Sequence, residues 1–127
     1  MKVLLDTHTF LFAITEPERM SPAVREALLN EDVPRWVSVI SLWEIILKIQ
    51  VGKLNLSSEP AYYYEHLREI GATVLPVEAR HSFELIHLPL LHKDPFDRLL
   101  IAQARVEDMT LLTRDKSIRR YSVATLW

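Results

Sequence analysis

The sequence predicts an α/β fold: three layers, α/β/α, around a central, mainly parallel β-sheet of four to five strands. Two observations carry that expectation. Short apolar runs rich in Val, Leu and Ile alternate along the chain with longer segments of helical periodicity, the pattern of strands joined through crossover helices. Acidic residues also recur where an apolar run gives way to a helix, the place where α/β sheets gather functional groups. With 127 residues, the chain has too few for two separate cores, so one domain spanning 1–127 is expected.

"KVLLD" is an apolar run ending in Asp6, and "THTFLFAI" follows with helical spacing through Phe10, Leu11 and Ile14. A buried strand feeding a helix is predicted, with Asp6 at the junction. In "SPAVREALL", Ser21 reads as an N-cap and Pro22 as the first helical residue, so a second helix should run to about Asn30. Pro34 breaks the chain. "RWVSVIS" is β-branched and aromatic and predicts a strand; "SLWEIILKIQVG" predicts a helix ending at Gly52, with Glu44 in its first turn or two. "LNLSSEP" reads as a loop, "AYYYEHLREIG" as an amphipathic helix stopped by Gly71, and "ATVLPV" as the next strand. One or two short helices are expected between Glu78 and Leu91. "HKDPFDRLLIAQA" then opens a long helix, "MTLLT" is a strand, "RDKSIRRY" a turn or short helix, and "SVATL" a last strand.

Composition narrows the chemistry. The chain is 49% hydrophobic and 25% charged and has no cysteine, which excludes disulfides, thiolate nucleophiles and Cys-ligated zinc and suits a reducing cytoplasm. No apolar stretch approaches the roughly 18 to 20 residues that cross a bilayer, so neither a membrane span nor a signal peptide is expected. The formal net charge of −2 is unevenly spread: residues 1–34 carry three Lys/Arg against six acids, and residues 92–127 carry seven against five. That C-terminal excess suits a polyanion, although a solvated basic face has the same composition. Only two glycines are present, Gly52 and Gly71, which excludes a P-loop and a dinucleotide fingerprint.

Four carboxylates fall at strand–helix junctions: Asp6, Glu44, Asp97 and Asp115. Each also has a plain structural role to fill. Asp6 suits an N-cap, Glu44 precedes Lys48 by four residues as in a helical ion pair, and Asp115 suits a cap for "KSIRRY". Asp94 as N-cap, Pro95 after it and an acid at Asp97 make a nearly complete helix-start signature. That signature accounts for Asp94 but leaves Asp97 at the head of a stripe continuing through Leu100, Ile101 and Ala104, facing inward where a lone carboxylate is costly. Inward-facing acids without matching cations raise one another's pKa, and a hard divalent ion such as Mg²⁺ or Mn²⁺ relieves the repulsion.

In this order, "LLDTH", "SLWEI", "DPFDRLLIAQA" and "LLTRD" resemble the acidic motifs of PIN-domain nucleases, especially the VapC-type toxins of toxin–antitoxin pairs, and the likeness covers essentially the whole chain. It implies a PIN-like fold whose acidic pocket binds Mg²⁺ or Mn²⁺ and cleaves RNA. Carried over position by position, it implies catalytic and metal-holding roles for Asp6, Glu44, Asp97 and Asp115. Thr113 becomes a supporting hydroxyl, and Asp94 a supporting or capping residue of the "DPFD" form. In that chemistry carboxylates hold the ion, a water of lowered pKa attacks phosphorus in line, and the products are a 5′ phosphate and a 3′ hydroxyl. Arg98, Arg114, Lys116, Arg119 and Arg120 are candidates for holding the RNA backbone. The resemblance also implies a cytoplasmic protein that pairs with itself and with a cognate antitoxin.

The histidines His8, His66, His81, His87 and His92 show no zinc-binding spacing, and only His8 is expected near Asp6. Trp36, Trp43 and Tyr62 to Tyr64 suit core packing or a dimer surface better than base stacking. A phosphoacceptor domain also clusters acids at strand ends, but it needs an acidic pair after the first strand, where Asp6 stands alone. A catalytically silent PIN-like module that binds a protein or RNA partner is the other alternative; the presence of all four acids argues against it.

Overall fold

The computed structural model describes residues 1–127. Five strands, β1 (Val3–Leu5), β2 (Arg35–Ser38), β3 (Thr73–Leu75), β4 (Thr110–Leu112) and β5 (Thr125–Leu126), form one sheet in the order β3-β2-β1-β4-β5. Every neighbouring pair is parallel. Six α-helices lie along the connections: α1 (Thr7–Thr15), α2 (Pro22–Leu29), α3 (Val39–Gln50), α4 (Pro60–Glu69), α5 (Ala79–Glu84) and α6 (Pro95–Glu107). Short 3₁₀ turns occupy Pro17–Arg19, Leu85–His87 and Ile118–Arg120.

Alternating side chains of the strands feed two cores. Leu4 and Leu111 pack on one face with Leu100, Ile101 and Ala104 of α6 and with Ile118 and Tyr121. Val3, Leu5, Val37 and Leu112 pack on the other with Phe10 and Phe12 of α1, Val24 of α2, Ile45 of α3 and Tyr63 and Leu67 of α4. Helices therefore cover both faces, as an all-parallel sheet requires, and the three predicted layers are present. From β1 the chain winds outward to β2 and β3 with α1 to α4 on one face. It then returns across the sheet to β4 and β5 with α5 and α6 on the other. Winding therefore reverses between β1 and β4, and the crevice beyond the carboxyl ends of those two strands is the switch point where such sheets bind ligands.

Local signals place the helix starts. Ser21 Oγ accepts from the Val24 amide, and Asp94 Oδ1 accepts from the amides of Phe96 and Asp97, so both predicted N-caps are present. Gly52 and Gly71 take positive φ values of 77° and 66° just past α3 and α4, which explains glycine at both helix ends. The second strand is shorter than "RWVSVIS" suggests. It ends at Ser38, whose hydroxyl accepts from the Ile40 amide and starts α3 at Val39. Val39 and Ile40 favour strands, but this cap and the burial of Ile40 against Leu100 and Ile101 override that preference.

At the opposite end of the sheet, Arg35 is buried with its guanidinium donating to the carbonyls of Leu28, Asn30, Val33 and Ile70. It caps the C-terminal ends of α2 and α4, where carbonyls lack helical partners. No helix is long and apolar enough to cross a membrane.

Candidate metal centre

The four predicted acids come together at the switch point. Asp6 follows β1 and caps α1: its Oδ1 accepts from the Thr9 amide at 2.8 Å, while its own amide donates to the Leu112 carbonyl of β4 at 3.1 Å. Thr9 Oγ1 donates to the same carbonyl at 2.8 Å, locking the β1–α1 corner onto the end of β4. The cap role expected of Asp6 is therefore real, and it coexists with near-complete burial, at 4% exposure. Burial pushes the Asp6 carboxyl up, opposed by the Thr113 hydroxyl, by the amide and hydroxyl of Thr9 and, last, by the charge of His8.

Glu44 enters from the second turn of α3 and is also buried. Its Oε1 accepts from the Thr7 hydroxyl at 2.7 Å and its Oε2 meets Lys48 Nζ at 2.9 Å. Ser41 Oγ lies 3.0 Å from Thr7 Oγ1, so a buried hydroxyl pair steadies the carboxylate. The helical ion pair expected of Glu44 exists, but on the inner side of the helix.

Asp97 turns inward from the first turn of α6, its side chain 16% exposed. Burial, and then the charges of Asp94, Glu44, Asp115 and Asp6 in that order, push its carboxyl from 3.8 to about 7. Glu44, Asp115 and Asp6 all act on this one group, so the four predicted acids are close in space despite their separation in sequence. Asp115 follows β4. Its Oδ1 accepts from the Ser117 amide at 2.8 Å and its amide donates to Thr113 Oγ1 at 3.0 Å, which fixes the turn that holds it. Thr113 is fully buried and serves both Asp6 and Asp115.

One titratable residue at this cluster was not expected there from the sequence. His92, rather than the exposed His8, offers a ring nitrogen within 4.8 Å of carboxylate oxygens of Asp97 and Asp115. Its place two residues before the Asp94 N-cap was the available signal. Thr7 and Ser41 were missed as well, because contact between α1 and α3 has no local trace.

The basic residues divide. Arg114 and Lys116 are exposed beside Asp115, with the Arg114 guanidinium 4.9 Å above the Phe12 ring. Arg119 and Arg120 are exposed as well. Arg98 Nη1 donates to the Pro89 carbonyl and the Tyr121 hydroxyl, at 2.8 and 3.0 Å, and so braces the loop before α6. An open groove of about 590 Å³ beside Glu44 and Asp94 is lined by Lys48, the partner of Glu44, and by Lys53 and Lys93, to which the sequence assigned no role. The larger cavity, about 730 Å³, surrounds Arg35 at the other end of the sheet, away from the acids. Tyr63 is buried in the core as expected, whereas Trp43 is 54% exposed and meets Phe96 edge-on at 5.1 Å.

The family model for the PIN domain matches residues 3–124. Ribonuclease VapC22 of Mycobacterium tuberculosis (strain ATCC 25618 / H37Rv) is 30% identical over 124 residues, covering 94% of this chain and 91% of that protein. Among solved structures, VapBC2 from Rickettsia felis bound to a DNA fragment from its promoter is similar with a TM-score of 0.73 at 18% identity, over 99% of this chain and 98% of that one. A toxin–antitoxin complex from Klebsiella pneumoniae is similar with a TM-score of 0.64 at 12% identity, over 98% and 96%. At these identities the solved structures show the fold and nothing finer.

Proposed function

The chain belongs to the PIN domain family, and from that membership we propose that it is a divalent-metal-dependent endoribonuclease, one nuclease domain over residues 1–127, serving as the toxin of a type II toxin–antitoxin pair. The observation that carries this reading is the convergence of Asp6, Glu44, Asp97 and Asp115: burial first, and then the charges of Asp94 and the other three acids, push Asp97 to about 7. A buried acid cluster destabilises the protein that holds it unless a cation joins it.

The donor set fits Mg²⁺ or Mn²⁺. It consists of carboxylate oxygens, without thiolates, and Lys48 is the one cation paired to it directly. We assign Asp6, Glu44, Asp97 and Asp115 to hold the ion and to act as the catalytic acids, with Thr113 and Asp94 in support. When bound, such an ion supplies Lewis acidity and a water of lowered pKa.

The chain's own residues do the rest. Burial raises the Asp6 carboxyl, and hydrogen bonds from Thr113 and Thr9 offset part of that rise. Thr7 and Lys48 hold both oxygens of Glu44, so that carboxylate does not swing away. Asp94 anchors the start of α6 and thereby sets the height of Asp97 in the cleft. Arg114, Lys116 and Arg98, with the lysines of the adjoining groove, lend positive charge to an RNA backbone approaching an otherwise acidic site. Hydrolysis in this arrangement leaves a 5′ phosphate and a 3′ hydroxyl.

The named relative, a ribonuclease, supports the nuclease reading, and the complexes from Rickettsia felis and Klebsiella pneumoniae support an antitoxin as partner. A homodimer in the cytoplasm completes the proposal. The test is incubation of the purified chain with RNA in Mg²⁺, in Mn²⁺ and in EDTA, together with mapping of new RNA 5′ ends after induction in cells. Discrete cuts that need the metal are expected. A folded chain that cuts nothing under any condition would leave a silent binding module in place of the nuclease.

A further inference from the structure

Helix α6 begins with half of a capping box. Asp94 Oδ1 accepts from the amides of Phe96 at 2.9 Å and Asp97 at 3.3 Å. In the complete motif the side chain three residues after the cap returns the bond by accepting from the cap residue's own amide. Asp97 occupies that position, yet the Asp94 amide donates instead to Nδ1 of His92, at 2.9 Å. An amide has one hydrogen, so a bond to His92 withholds it from Asp97.

The same bond fixes the imidazole. With Nδ1 accepting, the neutral ring carries its hydrogen on Nε2. A nitrogen bearing hydrogen is a donor and not a ligand, so His92 stays outside the donor set although it lies within 4.8 Å of Asp97 and Asp115. Its Nε2 stands 3.6 Å from Asp97 Oδ2, too far for a hydrogen bond. No direct hydrogen bond joins the two side chains, and the Asp94 amide is the donor for which both are placed to compete.

We propose that His92 is the positioning residue of Asp97: by accepting the Asp94 amide it keeps the Asp97 carboxylate out of the capping box and turned toward Glu44, Asp115 and Asp6. Without the imidazole the cap amide lacks an acceptor, and the Asp97 carboxylate becomes a local one for it. Closing the capping box in that way withdraws an oxygen donor from the cluster. This inference rests on the metal-dependent reading above.

Two measurements on the full-length chain test it. In the ¹⁵N-resolved imidazole spectrum of the wild type in its neutral form, His92 should be the Nε2–H tautomer; an Nδ1–H tautomer would overturn the proposal whatever the variants do. By calorimetry, His92→Ala should bind Mn²⁺ about tenfold more weakly, the size of effect typical when a ligand's supporting partner is lost. His92→Asn, whose side-chain oxygen can accept from the amide two residues on, should recover most of that loss. Thermal melts confirm that each variant is folded. Wild-type affinity in His92→Ala, or an Asn variant as weak as the Ala variant, overturns this inference alone. Absence of Mn²⁺ binding by the wild-type chain overturns it together with the metal-dependent reading.

Discussion

The Thr7 hydroxyl donates to Glu44 Oε1 at 2.7 Å, a buried bond between the first residue of α1 and the second turn of α3. It joins two parts of the acid cluster that are 37 positions apart in the chain, and Ser41 Oγ, 3.0 Å from Thr7 Oγ1, completes the arrangement. Thr7→Val keeps the shape and removes the donor. The expected result is a loss of about 1–3 kcal/mol of stability, the range for leaving a buried charged acceptor short of a partner, together with weaker Mg²⁺ binding. Urea denaturation and calorimetry measure the two effects separately.

Asp97→Asn and Asp6→Asn should each abolish metal-dependent RNA cleavage while leaving the chain folded. In EDTA the Asp97→Asn protein should melt at or above the wild-type temperature, because the substitution removes one of the charges that repel one another in the cluster. A lower melting temperature in EDTA would mean that the carboxylate serves the fold rather than the site. Full cleavage by both variants would sink the catalytic assignment.

The raised Asp97 carboxyl makes stability depend on pH. Between 3.8 and about 7 the folded chain keeps a proton that the unfolded chain has released. Metal-free stability therefore falls as pH rises through that window, and the penalty is absent below it. Asp6, also raised, acts in the same direction. A divalent ion has to displace these protons, so its binding should release protons and tighten as pH rises. Melting curves in EDTA across this range should slope downward with pH, Mg²⁺ should flatten the slope, and Asp97→Asn should flatten it without metal.

Arg35 tests whether fold and site are separable. Its guanidinium satisfies carbonyls of Leu28, Asn30, Val33 and Ile70 at the end of the sheet away from the acids. Arg35→Met should lower stability by about 1–3 kcal/mol through the acceptors left buried. Divalent-ion affinity of the folded fraction should be unchanged, as titration of the purified variant at low temperature would show.

Asp108 ends α6 with φ of 54°, the one non-glycine residue in the left-handed region. Glycine takes this conformation without steric cost. Asp108→Gly should stabilise the chain by about 0.5–1 kcal/mol, net of the entropy lost from a more flexible unfolded chain, with cleavage unaffected; thermal denaturation reads the gain.

Much of the molecule was legible in one dimension because the signals are local. Strand and helix periodicity, Ser21 before Pro22, Asp94 before Pro95 and the glycines after α3 and α4 all act within a few residues of where they stand. The inward direction of Asp97 was legible too, since Leu100, Ile101 and Ala104 mark the buried side of its helix. Where local preference misled, at Val39 and Ile40, a hydroxyl cap and a packing site on α6 outweighed β-propensity.

By itself, the sequence determined that four carboxylates stand where strands end or helices begin, and that one of them faces a core. Their meeting depends on strand order. Asp6 and Asp115 are neighbours because β1 pairs with β4, with Leu5 opposite Leu112. Glu44 joins them because β2 flanks β1 on the other side. Strand order is set by how all the apolar faces are buried at once, a property of the whole chain that no short window contains. The same holds for His92: its neighbours in sequence identify a helix start, but only the folded chain decides whether the cap amide bonds to the imidazole or to Asp97.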